Sequence, residues 1–65
     1  MEYILIIWYW DASGNNKLVH SIENFSIEYN KLDDIVDTAK YKIKGMEYNE
    51  LYGYIITTQN VVAEG

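Results

Sequence analysis

Tyr3-Ile4-Leu5-Ile6-Ile7-Trp8-Tyr9-Trp10 is the stretch on which the fold of this chain turns. Its residues are all aliphatic or aromatic, and β-branched and aromatic side chains suit a pleated strand. A helix here would be short, with no residue to cap it. In a strand, Ile4, Ile6, Trp8 and Trp10 point one way, and Tyr3, Leu5, Ile7 and Tyr9 point the other. Both sets are apolar, and a strand apolar on both sides is ordinarily covered on both.

Downstream, Asp11-Ala12-Ser13-Gly14-Asn15-Asn16 is a run of turn formers and predicts a hairpin loop. A return strand is expected from Lys17 to about Tyr29, with Val19, Ser21 and Glu23 opposed to Leu18, His20 and Ile22. Its pattern weakens near Asn24, where a bulge or break is expected, and Phe25, Ile27 and Tyr29 then share one side. Leu32, Ile35, Val36, Ala39 and Ile43 recur at helical spacing and form one apolar stripe. Asn30 is placed to cap this helix and Gly45 to supply its C′ residue. Asp33 and Asp34 in the first turn, with Lys40, Lys42 and Lys44 towards the end, match the helix dipole. After a polar connection from Met46 to Leu51, a third strand is expected over 52–58 and a turn at Gln59-Asn60. Val61 to Glu64 would form a short edge strand.

The expected architecture is a single α+β domain over 1–65, in the order β-β-α-β with a final short β. One helix packs on one face of a small antiparallel or mixed sheet, giving two layers. A helix of about 14 residues, roughly 21 Å long, covers only one face of that sheet. One side of the first strand is therefore left over, and exposed apolar patches of that kind mark interfaces.

Composition limits the chemistry. The chain has 65 residues, ten acids against five basic residues, a formal net charge of −5, and neither cysteine nor proline. A chain of this size buries only about 60% of its extended surface on folding, so it benefits from a staple. Without cysteine there is no disulfide, thiolate metal site or thiol redox chemistry. Association with another subunit is then the available staple. The negative charge and the absence of arginine oppose generic nucleic-acid binding. The apolar run over 3–10 is too short to span a bilayer, and Glu2 precedes it where a signal peptide carries positive charge. A cytoplasmic location and no membrane association are expected.

No catalytic, cofactor or metal site is read from the sequence, and no enzyme is expected. His20 is the only histidine, and Ser21 beside it in a strand points to the opposite side, so the two do not form a nucleophile–base pair. Asp33, Asp34 and Asp37 lack the alternating oxygen ligands and central glycine of a calcium loop, and solvated helix acids account for them. Glu23 and Glu28 read as solvent-facing strand residues. Gly53 between two tyrosines is no phosphate cradle and suits a bulge or a close backbone approach.

Trp8, Tyr9, Trp10, Tyr52 and Tyr54 are the candidate interface residues, since tryptophan and tyrosine dominate protein hot spots. Asp33, Asp34, Asp37, Glu47 and Glu50 are the candidate acidic face, able to imitate a run of phosphates towards a basic protein. The expected function is thus a non-enzymatic small acidic protein-interaction domain. It self-associates as a homodimer, or docks on another protein as an adaptor or an inhibitor of a basic surface. Single-stranded nucleic-acid binding by stacking on the sheet aromatics is the alternative, disfavoured by the charge.

Overall fold

The computed structural model describes residues 1–65 as a four-stranded sheet with one helix on one of its faces. The elements are β1 (Glu2–Trp10), β2 (Lys17–Ser26), α1 (Leu32–Lys44), a 3-10 turn over Asn49–Leu51, β3 (Tyr52–Thr57) and β4 (Val61–Glu64). Strand order is β2-β1-β3-β4 and every neighbouring pair is antiparallel, so the two-layer α+β arrangement stands, with no parallel pair. β1, the apolar strand, lies inside the sheet between β2 and β3.

The helix takes the Tyr3, Leu5, Ile7 and Tyr9 side of β1. Leu5, Ile7, Ile35, Ala39, Tyr54 and Ile56 form the buried core. The register explains the assembly: Leu5 lies opposite Ile56 and Ile7 opposite Tyr54, and partners directly opposite share a face. The stripe read from the helix spacing is the one that packs, with Ile35 and Ala39 buried and Leu32, Val36 and Ile43 beside them. Lys42 reaches across to Glu23 on β2, with Nζ 2.6 Å from Oε2.

Several local expectations are corrected. β2 ends at Ser26, so Ile27 and Tyr29 are not strand residues: Glu28 sits in a turn in which the Tyr29 N–H donates to the Ser26 carbonyl. Asn30 does not cap α1: it stands one residue before the N-cap, and its side-chain amide donates to the Ser26 carbonyl at 2.8 Å, closing that turn. Lys31 is the N-cap, and it offers no side-chain hydrogen bond. Gly45 is right-handed (φ −79°), and the left-handed residue of this connection is Tyr48 (φ 58°). The register shift in the β1–β2 pair falls between Ile7 and Trp8, where Ser21 and then Val19 are the partners and His20 is the extra residue; no irregularity occurs at Asn24.

Candidate functional site

The side of the sheet away from the helix carries the Ile4, Ile6, Trp8 and Trp10 set. Cross-strand partners extend it into rows: Asn24, Ile4, Thr57 and Val61; then Ile22, Ile6, Ile55 and Glu64; then Val19, Trp8 and Gly53; then Lys17 and Trp10. No secondary-structure element lies over these rows. Ile22 is 62% exposed, Val19 58% and Val61 54%, although all are aliphatic. Exposure of single apolar residues is ordinary, whereas a continuous apolar sheet face is not.

Trp8 gives the face its shape. Its indole lies across Gly53 on the neighbouring strand, so closely that a Cβ on Gly53 would collide with the ring. The close approach expected of a strand glycine is therefore made by an aromatic ring from the neighbouring strand. Trp10 meets Trp8 edge-on, with centroids 5.6 Å apart and planes at 83°. Lys17 extends over both rings, its Nζ 4.2 Å from the Trp8 centroid and 5.2 Å from that of Trp10. That arrangement is a cation–π clamp at the hairpin end of the face. A shallow cavity of about 260 Å³ opens beside it, lined by Trp8, Lys17, Ile55 and Glu64 among others.

The five aromatic residues grouped from the sequence do not share a surface. Trp8 and Trp10 are on the open face, whereas the register and the core place Tyr9, Tyr52 and Tyr54 on the helix side. Tyr54 is a core residue, 7% exposed. Tyr9 and Tyr52 pack together with centroids 5.6 Å apart, and the His20 ring meets Tyr52 edge-on at the same distance. Reasoning from the aromatics missed Ile4, Ile6, Val19, Ile22 and Ile55, which supply most of the open face. Alternation along β2 pointed towards Val19 but put Ile22 on the other side, because the extra residue at position 20 reverses the count.

That extra residue also overturns the argument separating His20 from Ser21. Ser21 faces Ile7 on the helix side, and His20 meets Tyr52 on the same side. The side chains are hydrogen-bonded neither to each other nor to any carboxylate, so no nucleophile–base geometry results. Asp11 is held in its own loop: Ser13 donates to Oδ1 at 2.6 Å and the Asn16 amide to Oδ2 at 3.0 Å. These bonds, the Ser13 hydroxyl first, hold its carboxyl down at about 2.

The candidate acidic residues are all exposed but lie at two places. Asp33, Asp34 and Asp37 are in the first half of α1, and Glu47 and Glu50 follow its end. Lys40, Lys42 and Lys44 come between them along the chain. No three potential metal-ligating side chains converge anywhere in the molecule. On the helix side, a second open groove of about 380 Å³ is bordered by Lys40, Lys44, Asn49, Tyr52 and Tyr54. No helix is long and apolar enough to cross a membrane.

Neither a protein family, nor a curated protein, nor a solved structure matches this chain. Function is accordingly argued from its surfaces.

Proposed function

We propose that this chain is a non-enzymatic protein-interaction domain whose docking surface is the open face of the sheet. The observation that carries the reading is the uncovered apolar rows around Ile6 and Trp8, in which aliphatic residues on the edge strand β2 remain more than half exposed. Water contact with such a face is unfavourable by about 25 cal/mol per Å², so covering it drives association. Trp8, seated over Gly53, and Trp10, packed edge-on against it, are the large aromatic anchors of the face. The split acids do not supply one phosphate-like run, so the reading rests on the sheet and not on charge mimicry.

Ile22→Lys tests it, because Ile22 is exposed in the free chain and its replacement leaves the core untouched. Association of the wild-type chain with any protein should be lost in this variant, and should hold or strengthen as salt rises. Association that persists in the variant, or that salt abolishes, would count against the open face. Saturable quenching of Trp8 and Trp10 fluorescence by a single-stranded oligonucleotide would favour the nucleic-acid alternative instead.

A further inference from the structure

Lys40, Lys42 and Lys44 all lie in the second half of α1, yet only Lys42 has an ion-pair partner, Glu23. Lys40 and Lys44 stand four residues apart, hence on one side of the helix, where like charges repel. Both border the groove of about 380 Å³ on the helix side, and no carboxylate lines it. The helix C-terminus contributes about −0.5 of a charge there, so two ammonium groups leave the groove positive by about 1.5. In a molecule with a net charge of −5, that is a local reversal of sign.

Tyr54 supplies an independent observation. The residue is 7% exposed, and its hydroxyl takes part in none of the hydrogen bonds within the protein, although the oxygen is not sealed from solvent. Register puts its side chain on the helix side of the sheet, opposite Ile7. The hydroxyl end of the ring lies over Gly65, another residue of the groove, where a Cβ would stand only 2.9 Å from the oxygen. A buried hydroxyl without a partner is costly, and one at a groove is free to donate to whatever enters.

The rest of the lining is apolar and fixed. Tyr52 is held from behind by Tyr9 and edge-on by His20, each with centroids 5.6 Å away. Ile43 adds an aliphatic contact, while Gly53 and Gly65 bring backbone alone and keep the floor low. The volume falls within the roughly 300–1,000 Å³ of small-molecule sites, which are apolar with a few convergent polar groups. Aromatic walls favour a planar ring, and lysine binds phosphate as a point charge. We propose that this groove binds a small aromatic phosphomonoester, its dianionic head between Lys40 and Lys44 and its ring beside Tyr52 and Tyr54. The site lies across the sheet from the docking face, and neither depends on the other.

The test is a titration of the full isotope-labelled chain with β-naphthyl phosphate at low salt, followed through the amide resonances. Inorganic phosphate and β-naphthol are titrated separately as the two halves of the probe. Wild type is compared with Lys40→Gln, Lys44→Gln and Tyr54→Phe, with circular dichroism to confirm folding; both lysines are exposed, so their replacement leaves the core intact. The amides of Asn49, Gly53 and Gly65 should shift saturably, with a Kd below about 1 mM. Each lysine substitution should weaken binding roughly 5–10-fold, and Tyr54→Phe roughly 3–10-fold. Each half of the probe should bind at least about tenfold more weakly than the ester. Absence of saturable shifts at the groove, or an affinity unchanged in both lysine variants, would overturn the site. So would either half binding as tightly as the ester, or shifts confined to Val19 and Ile22, which would put the probe on the open face.

Discussion

The indole of Trp8 occupies the space over the Cα of Gly53, its direct partner on β3, where any other residue would place a Cβ. The pair lets a bulky strand residue lie over its neighbour strand. A glycine inside a strand ordinarily weakens it, and a ring from the neighbouring strand restores the lost cover.

Gly53→Ala should therefore destabilise the domain, although alanine favours a strand no less than glycine. Displacing the indole costs about 1–3 kcal/mol, typical of overpacking. Urea unfolding followed by tryptophan emission measures it, and an unchanged midpoint would disprove the contact.

The two sides of the sheet should respond differently to removal of one methyl group. Ile7 is 1% exposed and Ile22 62%. Ile7→Val should cost about 0.5–1.5 kcal/mol, and Ile22→Val less than about 0.5 kcal/mol in dilute solution. Equal losses at the two positions would mean that the helix sits on the other face.

Asp11 supplies a pH dependence whose sign follows from its loop. Its carboxyl is held down from 3.8 to about 2 by the Ser13 hydroxyl first and the Asn16 amide second. A carboxyl depressed on folding contributes stability that is fully present above the unfolded value of about 3.9 and is lost as pH falls through the folded one. The hairpin loop should loosen between those limits and be indifferent to pH near neutrality. Carbon-detected titration of Asp11 checks this. Ser13→Ala should move the midpoint back up, and a midpoint already near 3.8 in the wild type would contradict the hydrogen bonds.

Tyr48 carries the only left-handed non-glycine backbone in the chain, at φ 58°, and the residue is 65% exposed. Tyr48→Gly relieves a conformation that disfavours a Cβ by about 1–2 kcal/mol, offset in part by the freedom glycine adds to the unfolded chain. A net gain of about 0.5–1 kcal/mol is expected in the melting curve. A loss of stability would show that the ring contributes more packing than its exposure implies.

Much of the fold is legible in local pattern. The apolar run of β1, the turn formers at 11–16 and the helical spacing from Leu32 to Ile43 each admit one element type, because 2-residue and 3.6-residue periods place side chains incompatibly. That one helix cannot cover a two-sided sheet also follows from length alone, so the uncovered face is foreseeable. The cap at Lys31 was not, because Asn30, the residue type that favours capping, lies one residue before the first helical turn and its amide bonds back to the turn at Ser26.

Which face stays open, and what lies on it, depends on pairing between distant strands. Tyr3, Leu5, Ile7 and Tyr9 are as apolar as Ile4, Ile6, Trp8 and Trp10; the helix selects the first set once Tyr54 and Ile56 of β3 stand beside it. The extra residue at His20 reverses the alternation of β2, moving Ile22 onto the open face and bringing His20 and Ser21 to one side. Adjacent letters such as Trp8-Tyr9-Trp10 suggest a common surface, and the pleat separates them. The composition and periods of the chain specified its elements and the presence of a spare apolar face. Register, a property of two strands at once, specified that face as Ile4, Ile6, Trp8, Trp10, Val19, Ile22 and Ile55.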